Sequence, residues 1–210
     1  MKREPIYGFD ILNQEAAEES AEYIRPHLSS TVVTDEGWWN VACNKIKIDG
    51  LCIELGVYGG ESINYFSKYR QDKIWYGFDS FNGFQEDWKG GYYSQGCLSL
   101  NGKMPLVNSN VRLVKGFFKD TLPSFLEKTD KNISFIHVDC DTYESTLESL
   151  NILKTRLIIN TLILFDEYTS FPGWKEGEFK AWKEFVQNNK IKYKYEMFGP
   201  RQALVRITEI

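Results

Sequence analysis

The run Ile133-Ser-Phe-Ile-His-Val-Asp-Cys-Asp-Thr-Tyr143 decides how the rest of the chain is read. From Ile133 to Val138 it is almost wholly apolar and alternates poorly, the pattern of a strand buried on both faces of a parallel sheet. It ends in two carboxylates. Asp139 and Asp141 cannot stay inside such a core without partners, so they are expected where the strand emerges. Thr161-Leu-Ile-Leu-Phe165 repeats the arrangement and stops at Asp166-Glu167. Ligands of an open α/β sheet sit at the carboxyl ends of its strands. Two acid pairs gathered there suit a hard divalent cation with oxygen ligands. The alternative is that these acids cap helices on solvent-facing turns, and Asp141 followed by Glu144 has the form of a capping box.

Upstream, Leu51-Cys-Ile-Glu-Leu-Gly56 is a shorter apolar strand, followed by the turn Gly56-Val-Tyr-Gly59-Gly60 and a helix over 61–69. Strand, glycine turn and helix open a βαβ nucleotide-binding unit, in which backbone N–H groups approach a ligand at the amino end of the helix. The next strand, 74–78, carries Asp79 at its tip, 20 residues beyond Gly59. At that separation an acid reaches the two hydroxyls of a ribose, and its two oxygens can each accept one O–H. A dinucleotide motif starting at Gly56 would need glycine at 58 and 61, where Tyr58 and Glu61 stand. Glu54 and Glu61 would also repel a pyrophosphate. A nucleoside carrying positive charge fits this neighbourhood, and S-adenosylmethionine, with its sulfonium and ammonium groups, answers the description.

The remaining segments frame this centre. Asn13 is placed to cap a helix over 14–28 with acidic first turns, ended by Pro26 and Ser29-Ser30. It is expected to cover the site or to form an oligomer contact. Trp38 and Trp39 follow in a loop, as buried anchors or as a lid. Residues 81–104, rich in Gly, Trp, Tyr and Asn and without periodicity, read as a binding lid that includes Phe84, Trp88 and Gly90-Gly91-Tyr92-Tyr93. A third strand over 111–114 leads into Gly116-Phe-Phe-Lys-Asp120, whose aromatics could pack on a purine. Helices over 143–154 and 176–188 turn Leu147, Leu150, Leu153 and Phe179, Trp182, Phe185 inward. Strands over 191–198 and 202–207 form a hairpin around Gly199-Pro200. His137, inside its strand, reads as a packed core residue, and Tyr168 and Trp174 as acceptor wall or core.

A chain of 210 residues and 24.5 kDa makes one domain, with 1–49 as an amino-terminal cap and 50–210 as the core. A net charge of −4, a pI near 5.4 and scattered basic residues exclude a polyanion footprint, so nucleic acid is not an expected partner. Cys43, Cys52, Cys97 and Cys140 form no CxxC pair and only His27 and His137 accompany them, which excludes zinc spacing and suggests the reduced thiols of a cytoplasmic protein. Met-Lys-Arg-Glu-Pro at the start has no apolar run behind it, and no stretch of about 18 apolar residues follows, so neither a signal peptide nor a membrane span is expected.

Five segments together resemble a known family. They are Glu54-Leu-Gly-Val-Tyr-Gly-Gly-Glu-Ser62, Tyr76-Gly-Phe-Asp-Ser-Phe-Asn-Gly-Phe84, His137-Val-Asp-Cys-Asp-Thr-Tyr-Glu-Ser145, Phe165-Asp-Glu-Tyr168 and Glu176-Gly-Glu-Phe-Lys-Ala-Trp182. In this order, over about residues 50–207, they resemble the macrocin O-methyltransferases, class I S-adenosylmethionine-dependent enzymes that modify sugar hydroxyls of antibiotics and related glycosides. The resemblance implies a doubly wound, Rossmann-like sheet of seven strands, parallel except for the last. It implies Mg²⁺ or another divalent cation on Asp139, Asp166 and Glu167, although many members carry aspartate where Glu167 stands. It also implies that Asp141 is the general base.

The expected function is thus metal-dependent O-methylation of a sugar or glycosylated small molecule, with Asp141 and Asp139 at the reacting centre. Glu54 would sit near the methionine amine and Asp79 at the ribose. Gly56, Gly59 and Ser62 would line the cofactor site, and Phe81 and Phe117 would pack on adenine. Tyr58, Ser80, Gly116 and Asp139 complete the expected cofactor contacts. The rival readings are a nicotinamide-dependent oxidoreductase, opposed by the missing glycines, and a noncatalytic nucleoside-binding protein of the same fold.

Overall fold

This computed structural model describes residues 7–89, 91 and 93–210. The first residues, on which the reading of the leader rests, and Gly90 and Tyr92 of the expected lid lie outside the described residues. In chain order, α1 (Gly8–Ile24) passes through a 3₁₀ turn (Arg25–Ser30) to β1 (Val32–Val33) and α2 (Trp38–Lys45). Then come β2 (Leu51–Leu55), α3 (Glu61–Tyr69), β3 (Trp75–Asp79), β4 (Val111–Lys115), α4 (Phe118–Leu126), β5 (Ile133–Val138) and α5 (Tyr143–Leu153). The chain ends with β6 (Leu162–Phe165), α6 (Glu178–Asn189), β7 (Lys192–Phe198) and β8 (Ala203–Glu209).

The strands form one sheet in the order β1-β7-β8-β6-β5-β2-β3-β4. β8 runs antiparallel to β6 and β7, and the other pairings are parallel. This is the doubly wound, Rossmann-like sheet that was expected, with eight strands in place of seven. The addition is β1, which pairs with the edge of β7 through two residues and is too short to leave a hydrophobic period in the sequence. From β2 the chain builds outward to β3 and β4, then returns to lay β5 and β6 on the other side. The switch point therefore lies between β2 and β5, and it brings the glycine turn beside Asp139. Gly56 (φ +87°) is essential to that approach, because a Cβ there would stand 1.8 Å from the Asp139 carbonyl oxygen.

Two apolar layers clamp the sheet. Leu51, Ile53, Leu55, Val138 and Phe165 face the side covered by α4, α5 and α6. Cys52, Trp75, Phe135 and Leu164 pack on the other, against α2 and α3, the latter through Phe66. Each fully buried side chain of this size contributes about 1.5–3 kcal/mol. The poor alternation of 133–138 has a structural cause. Leu51 pairs with Ile133 but Cys52 with Phe135, so the register slips at Ser134, whose hydroxyl donates to the Leu51 carbonyl (3.0 Å).

α1 begins at Gly8, earlier than Asn13 suggested. Its first turn is closed by Asp10, which accepts the Tyr7 N–H (2.9 Å), and the Asn13 amide donates back to the Phe9 carbonyl from inside the helix. Ser20 of α1 accepts the Ser170 N–H (2.8 Å), and the Tyr23 hydroxyl meets that of Tyr195 (2.5 Å), so the helix covers the segment after β6 and β7. Trp38 and Trp39 belong to α2 and not to a loop. Among the described residues no helix is long and apolar enough to cross a membrane.

Candidate active site

The carboxyl edge of the sheet opens into a cavity of about 670 Å³. On its cofactor side the turn after β2 is organised by Asp79. One oxygen of Asp79 accepts the N–H groups of Val57 and Tyr58 (2.8 Å each), and the other accepts that of Phe81 (2.6 Å). Gly56, Tyr58, Gly59, Ser62, Asp79 and Ser80 line the cavity, as do Gly116, Phe117 and Asp139.

Two expected cofactor contacts do not line it. Glu54 is wholly buried, with one oxygen accepting the Ser62 hydroxyl (3.0 Å) and the other against Nδ1 of His137 (3.0 Å). It can act on a cofactor only from behind Ser62. Phe81, 1% exposed, turns into the core on the α3 side because its backbone adopts φ +58°. Tyr168 and Trp174 are core residues and not walls of the cavity.

The acids meet as the strand ends promised. One carboxylate oxygen from each of Asp139, Asp166 and Glu167 lies within 4.8 Å of the others. Asp139, Asp141 and Glu167 line the cavity. Asp166 stands behind them, taking a hydrogen bond from the Gln202 amide (3.3 Å), with Nε2 of His137 at 3.7 Å. Asp141 is not the cap of α5: Thr142 is, accepting the Ser145 N–H (3.3 Å), while Asp141 occupies the left-handed region (φ +61°) with its side chain at the cavity.

Two residues at this edge, Glu178 and Arg201, were given no role in the sequence reading. Glu178 is fully buried and accepts the N–H groups of Asp141 (3.3 Å) and Glu167 (3.1 Å) on its two oxygens. In sequence it looked like one more acid at a helix start. Arg201 enters the cavity from the β7–β8 turn, a place without local signal. Trp39 from α2, and Phe84, Gln85, Trp88 and Tyr93 from the irregular 81–104 segment, complete the lining, in keeping with a lid.

Burial dominates the electrostatics, and crowding adds to it. Burial pushes the Asp141 carboxyl up to about 7, offset in part by a hydrogen bond with the Glu167 carboxyl and reinforced by the charge of Asp166. Burial, then the neighbouring carboxylates, push Asp139, Glu167 and Glu178 well above the usual carboxylate range. Burial opposes charge on His137, yet the carboxylates of Asp166 and Glu54 on its two sides outweigh this and raise it well above its ordinary value. Oε2 of Glu167 is buried without a hydrogen-bond partner. Oxygen donors of like charge held within 4.8 Å, one of them orphaned, fit a hard divalent cation.

The macrocin-O-methyltransferase (TylF) family matches residues 101–199, the segment that carries Asp139, Asp141, Asp166 and Glu167. Among curated relatives, this chain is 25% identical over 160 residues to the demethyldecarbamoylnovobiocin O-methyltransferase of Streptomyces niveus, a match that covers 64% of this chain and 60% of the relative. The chain thus spans about three fifths of that relative's length. Its fold is similar to that of a calicheamicin methyltransferase (TM-score 0.68, 19% identity, 96% and 94% of the two chains). It is also similar to that of a mycinamycin-pathway methyltransferase solved with Mg and SAH (TM-score 0.52, 11% identity, 94% of this chain and 55% of that one).

Proposed function

We propose that this protein transfers the methyl group of S-adenosylmethionine to a hydroxyl of a sugar or glycosylated small molecule, with the help of a divalent cation. The observation that carries this reading is the convergence of acids from two separate strand ends on the cavity bordered by the glycine turn. The mycinamycin-pathway neighbour, whose structure holds Mg and SAH, supports it.

Methyl transfer from sulfonium to oxygen is an in-line displacement, and a sugar hydroxyl is a poor nucleophile near neutral pH. Asp141 is placed to accept the hydroxyl proton as the new C–O bond forms, and a carboxyl lifted to about 7 is matched to that task. Asp139, Asp166 and Glu167 would hold the cation, with Gln202 and His137 orienting Asp166 from behind. Bound there, the cation would lower the pKa of the acceptor hydroxyl. Asp79 holds the amides of the glycine turn and, with Ser80, faces the place of a ribose, while Phe117 offers its ring to a purine. Ser62, fixed by Glu54, presents the first turn of α3 to the methionine end. Phe84, Trp88 and Tyr93 would exclude water from the acceptor and pack on a sugar face.

The test is transfer of labelled methyl from S-adenosylmethionine to a panel of glycosides, nucleotide-linked sugars and polysaccharides, with Mg²⁺ or with chelator. Transfer that needs the cation is expected. Transfer indifferent to chelator would remove the metal from the reading, and calorimetric binding of NAD in place of S-adenosylmethionine would remove the reading itself.

A further inference from the structure

One fully buried carboxylate, Glu178, takes no part in the chemistry above. Acids at helix starts are ordinarily solvated and interact with the helix dipole from outside. Glu178 is 0% exposed and sits among other acids, where burial opposes its charge. For stability alone an apolar side chain would serve this place better. What the carboxylate does there is specific. Its two oxygens receive the N–H groups of Asp141 and Glu167, which belong to the loops after β5 and after β6. A side-chain amide presents one acceptor and one donor, so glutamine would set an N–H₂ against one of these N–H groups. Aspartate is shorter by a methylene, so its carboxylate lacks the reach to hold both.

The Asp141 backbone needs such a hold. Its left-handed conformation (φ +61°) is strained for a residue with a side chain. Gly177 packs against the same loop, since a Cβ there would lie 3.2 Å from the Asp141 carbonyl oxygen. Trp182 and Phe185 anchor the 12-residue α6 in the core, so the clamp is mounted on a rigid element.

We propose that Glu178 is a positioning residue: by taking the Asp141 and Glu167 amide hydrogens on one carboxylate, it sets the distance between the loop that carries Asp139 and Asp141 and the loop that carries Asp166 and Glu167. The tasks of the two loops rest on the function proposed above, whereas the clamp concerns the backbone alone.

Amide hydrogen exchange on the full chain without added metal, followed by Mn²⁺ titration and SAH calorimetry, tests this with wild type, Glu178→Gln and Glu178→Asp. Glu178→Gln is expected to speed exchange at the Asp141 or Glu167 amide by about tenfold or more, with β2 and β5 unchanged. Mn²⁺ affinity should fall about 10- to 100-fold while SAH affinity holds. Glu178→Asp keeps the charge and should protect only one of the two amides, which keeps the test alive if the glutamine variant fails to fold. Unchanged exchange at both amides, or an even rise across α6 and the sheet, would overturn the clamp. If wild type takes up no Mn²⁺ while the two amides respond, the cation reading falls and the clamp stands. If wild type and variants bind Mn²⁺ alike with unaltered exchange, the clamp falls and the cation reading stands.

Discussion

Two acidic regions of this molecule are built on opposite principles. On β7, Glu196 is surrounded by cations from its own chain: Nε of Arg206 at 2.6 Å, Nζ of Lys45 at 2.8 Å and Nζ of Lys194 at 3.2 Å. Burial works against its charge, but the hydrogen bonds from Lys45 and Arg206 prevail and hold the carboxyl down at about 2. At the carboxyl edge of the sheet, Asp139, Asp141, Asp166 and Glu167 crowd together with His137 3.7 Å from Asp166, and burial lifts Asp141 to about 7. The comparison teaches that buried acids satisfied within the chain are architecture, while acids left to repel one another leave room for a cation and a proton from outside.

The contrast can be broken at either end. The largest effect expected is at the crowded edge: Asp141→Asn should lower methyl transfer by about 10²- to 10⁴-fold while calorimetry finds S-adenosylmethionine affinity intact. Unchanged turnover would remove Asp141 as the base. At the satisfied hub, Arg206→Ala should cost about 2–3 kcal/mol in urea unfolding, because Glu196 loses its most buried partner, with methyl transfer unaffected below the transition. Mg²⁺ at about 100 times its Kd should raise stability by about 2.7 kcal/mol in thermal unfolding, and Asp166→Asn should abolish that gain.

The contrast also shows in pH, where the two signs differ. Glu196 lies below its ordinary 4.5, so its stabilisation is present above that value and lost as pH falls toward about 2. Asp141 lies above its ordinary 3.8, so the folded, chelated protein takes up a proton that the unfolded chain releases, and acidification from about pH 8 toward 4 stabilises it. Glu196→Gln should flatten the first limb and Asp141→Asn the second.

Much of this was legible in the chain. The apolar runs ending at Asp139 and Asp166, the glycine turn after Leu55 and the inward stripes of α5 and α6 are patterns of neighbouring residues, so they are written locally. Phe81 and Glu54 were misplaced for a different reason. Each lies in a segment that contacts the cofactor region, but the direction of a side chain depends on backbone turns and on distant partners such as His137. Glu178 carried no distinguishing mark, since its meaning lies in two amides 37 and 11 residues away.

By itself the amino-acid sequence determined where strands and helices run, which ends carry acid, and that those acids need partners, because periodicity and the cost of burying charge act over a few residues. Only the tertiary structure decided which acids meet, that β1 adds an edge, and that one glutamate from α6 ties two loops together. Those facts depend on strand order and register, which are settled by contacts between segments far apart in the chain.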